Sequence, residues 1–116
     1  MEKATVYFKM ITNPETVVKK GWDFAKYEYK KVSEIFFDSD FANAESDEIM
    51  LSLIYDFHQN HSELAWAKNP NIISMIDETR SMMVDDLIEW GGVLHRVKGV
   101  GFTVLNPVKD AEFFND

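Results

Sequence analysis

The chain has 116 residues, of which 46% are hydrophobic, with a net charge of −8 and no cysteine. This length fits a single domain, and nine Phe, four Tyr and three Trp supply enough bulky side chains for one core. Without cysteine, the chain cannot form disulfides, thiolate metal sites or a cysteine nucleophile. We therefore predict one domain over residues 1–116, with a frayed acidic tail at 110–116, and a cytoplasmic location.

The sequence shows no segment typical of export or of a membrane span. Its first ten residues alternate between polar and apolar types, whereas a signal peptide has a continuous apolar stretch. No run approaches the roughly 18 apolar residues that cross a bilayer as a helix. We expect no membrane partner.

Acidic residues are concentrated in the middle of the chain. Residues 35–63 contain no Lys or Arg, and their acidic residues are Asp38, Asp40, Glu45, Asp47, Glu48, Asp56 and Glu63. Residues 1–34, by contrast, carry seven Lys against five acidic residues. Because a field of negative sign repels nucleic acid and attracts basic surfaces, the seven acidic residues are the predicted contact with a protein partner.

The N-terminal segment predicts a strand followed by a long helix. Alternation over Thr5 to Ile11 indicates a half-buried strand. The helix that follows opens with either Asn13 or Thr12 as N-cap, because Pro14 suits the first helical position and Glu15 would complete a capping box with Thr12. Apolar residues at steps of three and four extend this helix to about Phe37, with only Gly21 against it, and this stripe is expected to be buried: Val18, Trp22, Ala25, Tyr29, Val32 and Phe36.

Two further helices are predicted after a polar loop at residues 38–45. Ser46 is expected to cap a helix that runs to about Asn60. The residues predicted to be buried in it are Ile49, Met50, Leu53, Ile54 and Phe57. A third helix opens at Asn69-Pro70, runs to Trp90 and is stopped by Gly91-Gly92.

The C-terminal part predicts a β-hairpin. Val93 to Lys98 and Phe102 to Leu105 are rich in β-forming residues, and Gly99-Val100-Gly101 is suited to a turn. The predicted fold is α+β in the order β-α-α-α-β-β, with three helices packed on a small antiparallel-rich sheet. We expect the first strand to lie beside this hairpin.

The run from Val97 to Leu105, VKGVGFTVL, resembles the wing hairpin that closes the winged-helix DNA-binding domain of OmpR-type response regulators. The resemblance implies that Arg96 and Lys98 contact a phosphate backbone. The helix before the hairpin would then read the major groove, a task that needs basic or amide side chains. That segment instead opposes Arg80 with Asp77, Glu78, Asp85, Asp86 and Glu89. Duplex DNA is therefore not an expected partner.

Several residues are candidates for metal-binding or acid–base sites. The cluster Asp56, His58, His61 and Glu63 could supply zinc ligands, but its spacing favours two exposed histidines at a helix end instead. Adjacent carboxylates such as Asp85-Asp86 point about 100° apart on a helix, so they are predicted to face solvent separately. We expect no catalytic residue, no metal and no cofactor.

These observations lead to one functional hypothesis and one alternative. The first is a non-enzymatic acidic regulator or inhibitor that binds a basic protein surface, such as that of nucleic-acid machinery. Small acidic proteins without cysteine are common in phages and mobile elements, where some mimic the charge of nucleic acid. The alternative is a winged-helix transcription regulator that binds DNA through Lys19, Lys20, Lys26, Arg96 and Lys98.

Overall fold

The computed structural model describes residues 2–59, 72–74 and 80–105. The chain order is β1 (Glu2–Ile11), α1 (Pro14–Lys20), β2 (Tyr27–Phe37), α2 (Ser39–Ala44), α3 (Asp47–Phe57), β3 (Ile72–Ser74), β4 (Leu87–Trp90), β5 (Val93–Val97) and β6 (Phe102–Val104). A 3₁₀ turn at Trp22–Phe24 follows α1. The predicted α+β class, with three helices and an antiparallel sheet, is confirmed.

The strands form one sheet in the order β3-β2-β1-β4-β5-β6, and every neighbouring pair is antiparallel. The predicted hairpin is confirmed, since His95 of β5 lies opposite Val104 of β6. The first strand belongs to the same sheet as expected, but β4 lies between β1 and the hairpin, with Val6 opposite Ile88.

The predicted helix from Pro14 to Phe37 is wrong beyond Lys20. It begins at Pro14 with Asn13 in the N-cap position, and it ends at Gly21, whose φ of 98° favours glycine. The rest of the segment is the 3₁₀ turn, a short link and β2, which carries a bulge at Val32. Because a bulge shifts the alternation of a strand by one residue, the apolar residues on either side of it fell at helical spacing.

The predicted helix ending at Trp90 is also wrong where the structure describes it. Residues 72–74 and 87–90 are strands, and the predicted start at Asn69-Pro70 lies outside the described residues. Gly91 and Gly92 form a two-residue turn between β4 and β5, and their φ values are 59° and 75°. Two glycines with positive φ connect antiparallel strands here, and they do not end a helix.

Helices α2 and α3 cover one face of the sheet. The predicted cap of α3 is confirmed, since the Ser46 Oγ accepts a hydrogen bond from the Ile49 N–H at 3.3 Å. Helix α2 forms within the predicted polar loop because the Asp38 carboxylate accepts from the N–H groups of Asp40 and Phe41. The buried core residues are Ala4, Val6, Phe8, Val32, Ile35, Phe37, Ala42, Met50, Leu51, Ile54, Phe57, Met82, Ile88, Trp90 and Val97.

An aromatic cluster fixes this helical layer on the sheet. The ring of Phe37 at the end of β2 lies 5.6 Å from that of Trp90 and 6.2 Å from that of Phe57. The ring of Phe41 in α2 stacks on Phe37 at 6.3 Å. One of the residues predicted to be buried in α3, Ile49, is exposed instead. Leu51, which was not in that predicted set, lies in the core.

Strands β1 and β2 extend beyond β4 as a two-stranded arm, defined here as residues 8–30. Strand β4 pairs only with Thr5 to Tyr7 of β1. Beyond Tyr7, the backbone of Lys9 pairs with side chains and not with β4. Asp86 Oδ1 accepts from the Lys9 N–H at 2.9 Å, and Arg80 Nη2 donates to the Lys9 carbonyl at 3.1 Å. The arm is therefore anchored by a pair of charged side chains at its base.

Candidate functional site

The acidic side chains of the helical layer lie on its surface. Helices α2 and α3 and their flanking residues present what we call the acidic helical face: Asp38, Asp40, Glu45, Asp47, Glu48 and Asp56. Glu45 is half-buried and the other five are exposed. Glu63, the remaining residue of the predicted contact, lies outside the described residues.

No ion pair among the described residues neutralises the charge of this face. Among residues 2–59, 72–74 and 80–105, the ion pairs are Lys3–Glu34, Lys31–Glu34 and Arg80–Asp86, and none involves the acidic helical face. Part of the charge supports the helices, because Asp47 and Glu48 lie in the first turn of α3, where the helix dipole favours negative side chains. The face therefore combines a structural role with a strong negative field.

Apolar side chains are exposed on the same two helices. Phe41 of α2 is 44% exposed and Ile49 of α3 is 52% exposed. Phe41 is held in place by its stacking on Phe37, so its free surface has a fixed orientation. Exposed apolar groups beside charged ones are the composition of a surface that contacts another macromolecule.

A shallow groove of about 380 Å³ lies beside the acidic helical face, between α3 and the β5–β6 hairpin. Glu48, His95 and Val104 are among its lining residues. Burial lowers the pKa of His95 below its ordinary value, although the charge of Asp47 acts in the opposite direction. His95 is therefore mainly neutral at pH 7, and the groove carries negative charge.

The structure does not support the helix that the winged-helix resemblance requires. Residues 80–86 are not helical and 87–90 form β4, so no recognition helix precedes the hairpin within 80–90. Of the five residues of the DNA-binding alternative, Lys19, Lys20 and Lys26 are exposed on the arm, whereas Lys98 and Arg96 belong to another element. Arg96 lies in β5, opposite Leu87, and is half-buried. It is not an exposed wing residue.

The prediction that His58 is exposed is wrong, because His58 is fully buried at the end of α3. Its Nδ1 lies 2.7 Å from the Ile54 carbonyl and its Nε2 lies 2.6 Å from the Ser33 Oγ. A carbonyl can only accept, so Nδ1 carries the proton and Nε2 accepts from the Ser33 hydroxyl. Burial lowers the pKa of His58 to about 4.

These bonds decide the chemistry that His58 can perform. Both ring nitrogens are engaged inside the core, so His58 cannot serve in the zinc cluster that the sequence raised. His61 and Glu63 of that cluster lie outside the described residues. The Ser33–His58 pair also has no access to solvent, and it joins β2 to α3 as a structural contact.

The prediction that Asp85 and Asp86 both face solvent is wrong for Asp86, which is fully buried. Its carboxylate accepts from Arg80 at 2.6 and 2.8 Å and from the backbone N–H of Met83 and Lys9. The Arg80 guanidinium also lies 4.1 Å from the centre of the Phe8 ring. Asp86 is thus a buried junction of β1, β4 and the segment before β4.

Sequence reasoning also missed the exposed aromatic residues of the arm. Trp22 was predicted to lie in the core but is 69% exposed, and Phe24 is 53% exposed. The available signal was Gly21, because a glycine that interrupts an apolar stripe separates the residues on either side of it. These rings form a second exposed surface, distinct in sequence from the acidic helical face.

No protein-family model matches the chain, and neither the curated proteins nor the solved structures contain a significant match to it. In the part of the chain that the structure describes, no helix is long and apolar enough to cross a membrane. Within those same residues, no three acidic or imidazole side chains are grouped as a metal would require. The function is therefore inferred from the acidic helical face and the exposed residues of the arm.

Proposed function

We propose that the chain is a non-enzymatic regulator or inhibitor that binds a basic surface of another protein through its acidic helical face. The observation that carries this proposal is the exposure of Asp40, Asp47, Glu48 and Asp56 on two successive helices without a basic residue between positions 35 and 63. Such a field accelerates the encounter with a positively charged partner and repels phosphate-bearing ligands.

The apolar groups on the same helices support a protein partner. Electrostatic steering contributes mainly to association rate and specificity, whereas affinity requires buried contact area. Phe41 and Ile49 offer that area because both are large and half exposed. The acidic side chains and the two apolar residues complement a basic surface that carries an apolar patch. Proteins of nucleic-acid machinery have such surfaces, which they use to bind phosphates and bases. The carboxylates would then occupy the positions of phosphates.

A non-enzymatic role fits the positions of His58 and Asp86, which are both fully buried. His58 is engaged by Ser33 and Ile54, and Asp86 is engaged by Arg80 and two backbone N–H groups. Each of these contacts holds separate elements together. Their chemistry is explained by the fold, which leaves the surface as the basis of the proposed activity.

The test uses two variants with the same change of net charge. The face variant carries Asp40→Asn, Asp47→Asn, Glu48→Gln and Asp56→Asn, and it retains Asp38 because that side chain caps α2. The control variant carries Glu2→Gln, Glu15→Gln, Asp23→Asn and Glu28→Gln, all at exposed positions outside the face. Partners are captured from extracts of the source organism on immobilised wild type and identified by mass spectrometry.

Each purified partner is then mixed with the three proteins by stopped flow over a series of salt concentrations. We expect the association rate with wild type to fall steeply as salt increases. The face variant should associate at least tenfold more slowly at low salt, while the control variant should retain most of the wild-type rate. Equal rates for the face and control variants would contradict the proposal.

A further inference from the structure

The end of the arm exposes several large apolar side chains. Helix α1 and the 3₁₀ turn contribute no buried residue at all. Val18 is 86% exposed, and Trp22, Phe24 and Tyr27 are also among the exposed large apolar residues. Contiguous exposed groups of this kind mark a contact site on a soluble protein.

This exposed segment is nevertheless held in a defined conformation. The Asn13 side chain donates to the Phe24 carbonyl and accepts from the Lys26 N–H, both at 2.8 Å. The Thr12 N–H donates to the Lys26 carbonyl at 2.9 Å. Backbone and amide hydrogen bonds thus close the loop without a core, and they hold the aromatic residues on a preformed support.

Lysine side chains lie over two of these rings. Lys20 Nζ lies 5.7 Å from the centre of the Phe24 ring, and Lys9 Nζ lies 4.5 Å from that of Tyr27. Lys19 and Lys26 are also exposed. The arm as a whole carries five Lys against three acidic residues, in a chain whose net charge is −8. The arm therefore differs in sign from the rest of the molecule.

Two of the rings also border a concave surface. Trp22 and Tyr27 line an open groove of about 460 Å³ together with Met83 and Val84, which belong to the segment before β4. Met83 and Val84 are themselves exposed. The groove therefore presents two aromatic rings and two apolar side chains to a ligand, and Asp85 also lies on its wall.

We propose that the arm binds single-stranded nucleic acid, with bases stacked on Trp22, Phe24 and Tyr27 and phosphates paired with Lys19, Lys20 and Lys26. Aromatic rings interleaved with basic side chains are the usual composition of surfaces that bind single strands. In duplex DNA the bases are already stacked, which leaves these rings without a ligand.

The acidic helical face does not prevent this binding. Strand β2 leads from the aromatic end of the arm to α2, and its eleven residues at about 3.3 Å each give a distance of roughly 35 Å. Screening at physiological ionic strength acts over about 8 Å, so the negative field is weak at the arm. The arm site is thus independent of the proposed protein-binding function.

The experiment measures fluorescence anisotropy of labelled single-stranded oligothymidylate and oligouridylate, and of a duplex of equal length. We compare wild type with a Trp22→Ala/Phe24→Ala variant and a Lys19→Gln/Lys20→Gln variant. The control, Lys3→Gln/Lys98→Gln, removes two exposed charges outside the arm. Circular dichroism and thermal unfolding verify that each variant folds, which we expect because none of these residues is buried.

We expect wild type to bind both single strands and the duplex at least tenfold more weakly. Both arm variants should lose at least tenfold in affinity, whereas the control variant and the face variant should bind within about twofold of wild type. Three results would overturn the proposal: no binding to the single strands, equal binding to the duplex, or equal binding by the arm variants. Binding only to vesicles of anionic lipid, or Trp22-dependent self-association at low salt, would assign the arm to a membrane or to a second copy.

Discussion

The arm and the helical layer are ordered by different means. In the helical layer, Met50, Leu51, Ile54 and Phe57 of α3 are buried against the sheet. In the arm, α1 buries no residue, and the loop is closed by hydrogen bonds of Asn13 and Thr12 instead. Apolar burial therefore stabilises the layer, while polar bonds position the arm.

Because of this difference, substitutions in the two regions affect folding and binding to different extents. Trp22 and Phe24 at the end of the arm are mostly exposed, so they contribute little to folding and are available for binding. Acidic residues of the helical layer have mixed roles, because Asp38 caps α2 while Asp40 lies exposed in its first turn. Substitutions must separate these roles before a loss of binding can be interpreted.

The largest expected effect compares one aromatic residue from each region. Phe57→Ala should lower the free energy of unfolding by about 3–5 kcal/mol, since Phe57 is buried and stacks on Phe37. Trp22→Ala should change it by less than about 0.5 kcal/mol, because the Trp22 side chain is mostly exposed. Urea denaturation measures both values. A large loss for Trp22→Ala would show that the arm has a core contact.

The next effect concerns the junction that anchors the arm. Asp86→Ala should destabilise the protein by about 3 kcal/mol, because it leaves Arg80 and two backbone N–H groups without their acceptor. Asp85→Asn is the matched control, since it removes the neighbouring charge and tolerates the φ of 77° at that position.

Denaturation measures the loss, and hydrogen exchange locates it. Exchange at the Lys9 amide should become faster in Asp86→Ala, because that amide donates to the Asp86 carboxylate. The Asp85→Asn variant should retain the wild-type rate. Slow exchange at Lys9 in both variants would mean that the carboxylate does not hold the base of the arm.

The third effect is the pH dependence that His58 gives to the helical layer. The folded-state pKa of about 4 lies below the ordinary value of 6.5, so the unfolded chain takes up the proton first. Stability should therefore be unaffected by this group above pH 6.5 and fall as pH decreases from 6.5 toward 4. At 1.36 kcal/mol per pKa unit, the loss by pH 4 is about 2–3 kcal/mol.

A His58→Gln variant isolates this contribution from the titration of carboxylates. Denaturation of wild type and variant at pH 7 and pH 4 gives two stability differences. The advantage of wild type at pH 7 should shrink by about 2–3 kcal/mol at pH 4, because only wild type has the buried imidazole to protonate. Parallel pH profiles for the two proteins would show that the pKa of His58 is not lowered in the folded state.

Local patterns predicted those elements whose signals are local. Alternation identified β1, Ser46 identified the start of α3, and the glycine-rich turn identified the β5–β6 hairpin. The bulge at Val32 defeated the same reasoning in β2, because one extra residue made a strand resemble an amphipathic helix. The paired positive φ values of Gly91 and Gly92 were likewise not readable from a pattern that fits a helix end.

The candidate surfaces were predictable only in part. The acidic block is visible as composition, and the structure brings six of its residues onto one helical layer. The buried state of Asp86 was not predictable, because its partner Lys9 lies 77 positions away and the adjacent Asp85 has the same chemistry. Trp22 was predicted to be core material, since large apolar residues usually are.

The smallest expected effect separates capping from binding within the acidic helical face. Asp38→Ala should lower the free energy of unfolding by about 1 kcal/mol, because the carboxylate accepts from the first N–H groups of α2. Asp40→Ala should stay within about 0.5 kcal/mol, since Asp40 is exposed and outside the described ion pairs. Thermal and urea unfolding measure the two changes.

The same two variants then report on the partner. If the acidic helical face binds through its field, Asp38→Ala and Asp40→Ala should slow association by similar factors, because each removes one exposed charge. Asp38→Asn restores most of the cap, since Asn is an effective N-cap residue, but it leaves the charge missing. Its stability should return toward wild type while its association rate stays reduced. An association rate that recovers together with stability would show that the conformation of α2, and not its charge, controls binding.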